Sequence, residues 1–158
     1  IGTPTTDDPF AETNYLLRGA SSKWERIDGV RNPKTHTSRA AIFGDLNNDG
    51  GIDILVVNRD APAYLLMNIH EAKANSVTLR VLDSNGRDAY GAVVTSKVGG
   101  VNISHPVQSA WSYMAANDSR VHIGLGDAKE ITDLKVTWVD GTSTSFGSFE
   151  QGFHVLNK

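Results

Sequence analysis

The residues best suited to chemistry lie in one short stretch, residues 45–53, where oxygen-bearing side chains recur at regular spacing. Asp45, Asn47 and Asp49 occupy its first, third and fifth positions, and Asp53 occupies the ninth. This spacing lets a tightly turning backbone aim the oxygens inward, and a glycine at the sixth position permits the turn. Calcium takes about six to eight oxygen ligands in a flexible shell. The sequence therefore predicts a calcium-binding loop. Its expected ligands are the side chains of Asp45, Asn47, Asp49 and Asp53 and the carbonyl oxygen of Gly51.

Other metals and other loops fit the stretch less well. Magnesium demands near-ideal octahedral geometry and keeps its waters, and zinc prefers His and Cys ligands, which this loop lacks. An EF-hand needs a glutamate at the twelfth position, where Val56 stands, and helices on both sides. The remaining alternative is an Asx-rich turn without metal, because Asn, Asp and Gly are ordinary turn residues.

The segments that must position this loop have the pattern of β-strands. Short apolar runs flank it on both sides, and alternating runs bounded by Gly, Asn and Asp turns recur along the chain. Helical periodicity with caps is nearly absent, so we predict an all-β fold. In its clearest strand, Leu134, Val136 and Trp138 should face the core. The predicted runs are residues 15–17, 24–27, 40–43, 52–57, 64–67, 77–81, 92–98, 134–138 and 153–156.

Composition limits the class of protein. Hydrophobic residues make up 39% of the 158 and charged residues 21%, which suits a globular core. The absence of cysteine excludes disulfides and thiolate zinc sites. A formal net charge of −3 with scattered Lys and Arg argues against a nucleic-acid partner. No apolar run approaches the roughly 18 residues that a membrane span needs.

Three regions are expected along the chain. Residues 1–13 are rich in Thr, Pro and Asp, and indicate a linker or a disordered end. The polar residues 70–75 separate residues 14–72 from residues 76–158. Tyr15-Leu16-Leu17 is echoed by Tyr64-Leu65-Leu66, which hints at a repeat. Because the chain opens on Ile1 rather than Met, we expect a processed product or a piece of a longer protein.

The first region resembles a known repeat. Residues 43–58, with the sequence FGDLNNDGGIDILVVN, resemble an FG-GAP (VCBS-type) repeat, the calcium-binding propeller blade also found in integrin α chains. Residues 64–68 resemble the strand that follows in such blades. Residues 15–18 and 24–27 resemble the tail of a preceding copy. The resemblance implies a propeller-blade-like antiparallel sheet that carries the calcium loop.

The second region, residues 77–157, resembles the ASPIC/UnbV domain, which follows such repeats in cartilage acidic protein and many bacterial surface proteins. The matching pieces are residues 85–93, 122–126 and 136–141. The sequence departs from the family at Ile123, where Phe is common, and at residues 112–115, where the family has Gly-Tyr-Leu-Ser. The resemblance implies a small β-sandwich-like domain joined to the blade.

Several weaker signals have ordinary explanations. We interpret the Gly124-Leu125-Gly126 segment as a turn rather than a dinucleotide motif. Trp111 and Tyr113 would form a sugar-stacking platform if exposed, but burial in the core is the preferred interpretation. Three aspartates are interpreted as turn residues at the surface rather than a second carboxylate group, and the five histidines as structural or exposed. These residues are Asp83, Asp88 and Asp127, and His36, His70, His105, His122 and His154.

The function expected from these patterns is a calcium-binding extracellular structural or adhesion module. The metal would be architectural, no catalytic residue is assigned, and the protein is not expected to be an enzyme. Expected partners are copies of itself, surface proteins or glycans, at the cell surface or outside the cell. The alternative is a carbohydrate-binding or carbohydrate-active domain, although no acid pair suits the roughly 5–9.5 Å separation of glycosidases. Asn102 and Asn117 lie in glycosylation sequons, and whether either carries a glycan is left open.

A closed propeller from this chain alone is not expected. Propellers need about four to eight four-stranded blades, and residues 14–70 supply little more than one. A lone blade would expose apolar faces and an unpaired edge. Either the first region packs on the second, or copies share strands or faces, and sharing between copies is the favoured prediction.

Overall fold

The structure, a computed structural model, describes residues 9–20, 23–27, 35–69 and 75–158. These residues form twelve β-strands and no helix, which confirms the predicted all-β class. No helix long and apolar enough to cross a membrane is found in those ranges. The strands are β1 (Leu16–Ala20), β2 (Lys23–Ile27), β3 (Ser38–Gly44), β4 (Asp53–Asn58), β5 (Tyr64–Leu66), β6 (Asn75–Leu82), β7 (Val93–Val98), β8 (Val101–Pro106), β9 (Val121–Gly126), β10 (Glu130–Thr137), β11 (Ser143–Glu150) and β12 (Gly152–Asn157).

The first part of the chain forms two small antiparallel sheets. Strands β1 and β2 pair as a hairpin, and β2 is exposed along its whole length. Strands β3, β4 and β5 form a separate three-stranded sheet in that order. Neither sheet has the four strands of a complete propeller blade. The expected N-terminal linker lies partly outside the described residues, and so does the polar bridge at residues 70–75 except for Asn75, which begins β6.

The second part consists of two sheets around one core. One sheet has the order β11-β10-β7-β8 and the other the order β12-β6-β9, with β12 and β6 parallel. Side chains from both sheets join a single hydrophobic cluster, which is the arrangement of a β-sandwich. Leu134, Val136 and Trp138 are buried in this cluster while Lys135 is exposed, as predicted.

Two sequence interpretations are wrong. Gly124-Leu125-Gly126 is not a turn but the end of β9, and Leu125 is only 4% exposed. Trp111 and Tyr113 are not in the core, because 56% and 72% of their surfaces are exposed. The segment around them turns back on itself through a bridge between residues 112 and 115 instead of forming a strand.

Residues 112–118 lie along the free edge of β3. The Ser112 hydroxyl donates to the Ala41 carbonyl over 2.7 Å, and the Phe43 N–H donates to the Asn117 side chain over 2.8 Å. The Asp118 N–H in turn donates to the Phe43 carbonyl over 3.2 Å. These bonds occupy edge groups that another strand would need, so the β3 edge is not available for strand sharing between copies.

Candidate metal centre

The loop at residues 45–52 connects two paired strands. The antiparallel pairing of β3 with β4 ends at Gly44 and Asp53. The first and last expected ligands therefore lie where the two strands of the hairpin join the loop. The backbone is left-handed at Asn48 (φ 57°) and at Gly50 (φ 86°). A Cβ at Gly50 would also approach the Ser76 hydroxyl within 3.0 Å. The positive φ favours glycine at the sixth position, and a larger residue there would also press on the Ser76 side chain.

Asp45, Asn47 and Asp49 share a network of hydrogen bonds inside the loop. The Asp45 carboxylate, in a residue only 5% exposed, accepts from the N–H groups of Asp49 and Gly50, each over 3.0 Å. The Asp49 carboxylate accepts from the Gly51 N–H over 2.9 Å and from the Asn47 amide over 2.8 Å. A carboxylate oxygen that accepts one hydrogen bond keeps further lone-pair capacity for a cation.

Asp53 is the most buried residue of the loop, with 1% of its surface exposed. One carboxylate oxygen accepts from the Leu46 N–H over 3.0 Å, and the other accepts from the Asn68 N–H over 2.8 Å. Asp53 thereby ties the start of the loop to the residues that follow β5. It is a buried carboxylate held entirely by backbone donors in the described structure.

The loop offers oxygen donors of the kind that calcium binds. Asp45 and Asp53 are buried, yet no Lys, Arg or His side chain among the described residues forms an ion pair with either. The charge of Arg120 acts on Asp45, whereas Asp53 has backbone donors alone, and a buried carboxylate without a counter-charge is costly. In the same ranges no three His, Asp or Glu side chains already form a metal-binding group. The proposed shell therefore depends on the Asn47 amide oxygen and on carbonyl oxygens such as that of Gly51, which are ligands calcium accepts.

Arg120 joins the loop to the second part of the chain. Its Nη1 donates to the Asn48 side chain and its Nη2 to the Asp45 carbonyl, both over 2.8 Å. Its Nε donates to the Asp118 carboxylate over 2.7 Å, and Nη2 lies 2.6 Å from the same oxygen. Hydrogen bonding to Asp118, together with the charges of Asp118 and Asp45, raises the pKa of Arg120 above its ordinary value. Arg120 lies in no sequence motif that indicates this contact.

A second contact reaches the glycine of the loop. Nε2 of His122 lies 2.9 Å from the Gly50 carbonyl, and the Ser76 hydroxyl donates to the same oxygen over 3.3 Å. Because a carbonyl only accepts, the His122 ring carries its proton on Nε2. The loop is thus held from outside at residues 45, 48 and 50.

Replacing Arg120 with methionine should lower the free energy of unfolding by about 2 kcal/mol, since hydrogen bonds to charged groups are lost and Asp118 keeps no cation. Urea unfolding measures the change. Arg87→Met is the matched control, because the ion pair that Arg87 forms within the described ranges is with nearby Asp83 and its side chain is 74% exposed. The control should stay within about 0.5 kcal/mol of wild type. Equal losses in the two variants would contradict the bridging role of Arg120.

The comparison with known families bears on the second part of the chain. Residues 82–152 match the family model described as ASPIC and UnbV. The match runs from the last residue of β6 to the first residue of β12. No curated protein matches the chain. The FG-GAP resemblance of residues 43–58 stays a prediction.

Strands just outside the ASPIC/UnbV match complete its core. Val77, Leu79 and Val81 of β6 and Leu156 of β12 are at most 1% exposed and belong to the same hydrophobic cluster as the matched residues. Residues from 75 onward are therefore needed to bury this core. That range agrees closely with the 77–157 segment in which the sequence shows the resemblance.

The matched residues 82–152, here called the ASPIC/UnbV region, contain the three aspartates considered for a second carboxylate group. Two of them make local contacts. Asp83 accepts from the backbone of Asn85 and Arg87, which lowers the pKa of its carboxyl. Asp88 pairs with Arg80 over 3.0 Å, and Asp127 is exposed. Asp127 is a turn residue at the surface, as expected, whereas Asp88 is half-buried and forms a β-bridge with Leu82.

The two sequons differ in accessibility. Asn117 is 7% exposed, and its amide oxygen and nitrogen are bonded to the Phe43 N–H and the Ser109 carbonyl. Asn102 is exposed on β8. A glycan on Asn117 is incompatible with these bonds, whereas Asn102 has room for one.

His105 is expected to make stability depend on pH. Burial, with a smaller contribution from the charge of His122, lowers the pKa of His105 from its ordinary value of 6.5. The unfolded chain then binds the proton more readily than the folded chain, so stability is full above pH 6.5 and declines as the pH falls below it. Urea unfolding at pH 7.5 and 5.5 should show a smaller decline for His105→Gln than for wild type. His154→Gln, whose ring contacts the Glu150 carbonyl, serves as control. The same decline in wild type and His105→Gln would refute the assignment.

Proposed function

We propose that this chain is a calcium-binding structural or adhesion module that works outside the cell or at its surface. The observation that carries the proposal is the pair of buried carboxylates, Asp45 and Asp53, whose hydrogen bonds from the described residues all come from backbone N–H groups. A divalent cation would add positive charge beyond that of Arg120, which acts on Asp45. Sites in extracellular modules work at dissociation constants of about 0.1–1 mM, so modest affinity suffices there.

The metal would be architectural. Its side-chain ligands would come from both ends of the loop that joins β3 to β4. The same loop is hydrogen-bonded to Arg120 and His122 of the ASPIC/UnbV region. Binding would therefore favour one conformation of the loop and, through it, the contact between the two parts of the chain. The burial of Asp45 and Asp53 leaves little access for a substrate, which favours a structural over a catalytic metal.

A cleft beside the loop, lined by Gly44, Asp45 and residues of the ASPIC/UnbV region, also supports a non-catalytic role. The described carboxylates that line it are Asp45 and Asp118. Asp45 is buried and Asp118 is paired with Arg120. A glycosidase needs one acid that protonates and one base or nucleophile that stays accessible. This pair does not offer that combination.

Hydrogen exchange followed by mass spectrometry tests the architectural role. Calcium should slow amide exchange in residues 45–53 and also in residues 117–122, because Arg120 and His122 hold the loop from outside. Magnesium at the same concentration is the control and should protect neither segment. Protection confined to the loop would contradict the architectural role, and no protection at all would contradict calcium binding.

We further propose that partners are other copies of the chain, surface proteins or glycans. Large apolar side chains remain exposed on the first part, including Trp24 (75%), Leu65 (52%) and Ile69 (85%). Such side chains are typical of interaction surfaces when they are contiguous. Light scattering at micromolar protein with calcium should give a mass above the 17.0 kDa chain. A monodisperse monomer would contradict self-assembly. Surface proteins and glycans would then remain as the proposed partners.

A further inference from the structure

A cleft of about 300 Å³ lies between the metal loop and the ASPIC/UnbV region. Gly44 and Asp45 contribute to one wall, and residues 105–122 contribute most of the others. The volume is at the lower end of the roughly 300–1,000 Å³ range of small-molecule sites. A ligand of one or two sugar rings is the size that such a cleft admits.

Trp111 provides an aromatic surface at this cleft. More than half of the residue is exposed (56%), and its indole N–H donates to the Gln108 carbonyl over 3.1 Å. That bond fixes the ring and satisfies its only polar group. What Trp111 offers a ligand is therefore a rigid apolar face, which suits the C–H face of a sugar ring.

Unused neutral hydrogen-bonding groups line the same cleft. Within the described ranges, neither the His105 ring nor the Gln108 side-chain amide forms a hydrogen bond to the rest of the chain. An amide and a neutral imidazole each both donate and accept. Burial lowers the pKa of His105, so its ring is uncharged at neutral pH. Hydroxyl groups, which also donate and accept, complement this set.

The charges of the cleft disfavour an anionic ligand. Arg120 lines the cleft and stays positively charged throughout the pH range in which the protein is folded. Its guanidinium has about five N–H donors. Its contacts to Asp118, Asn48 and the Asp45 carbonyl already engage all three of its nitrogens. A carboxylate or phosphate would find no free bidentate partner there, and would approach Asp118 and Asp45 at a cost.

We propose that this cleft binds a neutral saccharide, with Trp111 stacking on the ring and His105 and Gln108 bonding to its hydroxyls. This rests on the glycan partner of the proposed function and gives it a site, whose binding groups belong to the ASPIC/UnbV region and require no metal ligation. For a ligand of this size the dissociation constant should be on the order of 1 mM.

Saturation-transfer NMR tests the proposal directly. The probes are the methyl glycosides of glucose, galactose, mannose and N-acetylglucosamine, each titrated into the intact chain with saturating calcium. At least one should receive saturation from the protein, and Trp111→Ala should weaken its binding about tenfold or more. Gln108→Ala should weaken it less. Tyr90→Ala is the matched control, because Tyr90 is an aromatic residue that is 54% exposed and does not line this cleft, and it should bind as wild type does.

Each result that would contradict the proposal bears on a different part of it. Binding of none of the four neutral glycosides, or equal binding by wild type and a folded Trp111→Ala, overturns the proposal. Stronger binding of glucuronate than of methyl glucoside overturns the neutral assignment. Folding of each variant is checked by its amide NMR spectrum. Calcium binding is measured on the same samples, so a failure of the saccharide site is distinguishable from a failure of the metal site.

Discussion

Replacing Trp138 with alanine is expected to lower the free energy of unfolding by about 3–5 kcal/mol, the range for truncating a buried aromatic residue. Trp138 is 4% exposed within the sandwich core. Its indole N–H donates to the Thr144 hydroxyl over 2.9 Å, and the Lys158 ammonium lies 5.7 Å from its ring centre. The alanine variant would leave a cavity between the two sheets. Urea unfolding monitored by circular dichroism measures the loss.

The neighbouring residue gives the control. Val139 is 74% exposed, so Val139→Ala should change the stability by no more than about 0.5 kcal/mol. Thr144→Val should cost about 1–3 kcal/mol, because it leaves the buried indole N–H without an acceptor. A loss below about 1 kcal/mol for Trp138→Ala would mean that this strand presents its opposite face to the core.

Calcium is expected to give the second largest effect. At a concentration one hundred times the dissociation constant, a site present only in the folded state stabilises it by about 2.7 kcal/mol. For a chain of this length, that raises the melting temperature by about 5–10 °C. Asp49→Ala should abolish the gain, because it removes one ligand, its charge and the bond to the Gly51 N–H. Differential scanning calorimetry in calcium and in EDTA measures both.

A matched variant separates the metal effect from a general loss of charge. Asp127 is also an aspartate in a turn, but it is exposed and distant in sequence from the loop. Asp127→Ala should keep the full calcium response. If EDTA leaves the melting temperature of a calcium-loaded sample unchanged, the architectural role of the ion is refuted.

The elements with strong alternation were predictable from sequence. Val77, Leu79 and Val81 alternate with polar residues, and so do Leu134 and Val136, and both runs form core strands. Side-chain period fixes which face is buried, so such strands can be located without knowing their partners. The loop between β3 and β4 was also predictable, because its Asp, Asn and Gly residues are a local turn signal, while its binding of calcium stays a prediction.

The elements that depend on distant partners were not predictable. β11 is rich in Ser and Gly and lacks alternation, and it becomes a strand because β10 pairs with it. Arg120 contacts residues more than seventy positions away, which no local pattern reveals. Trp111 was placed in the core because aromatic residues usually bury, whereas residues 112–118 are held at the β3 edge and leave it exposed.

The central claim, that residues 45–53 bind calcium, is tested most directly by isothermal titration calorimetry of EDTA-stripped protein with calcium chloride. The expected result is one calcium ion per chain with a dissociation constant at or below about 1 mM, and no binding by Asp49→Ala. The absence of binding heat at several temperatures with about 5 mM calcium, or undiminished binding by Asp49→Ala, would contradict the claim.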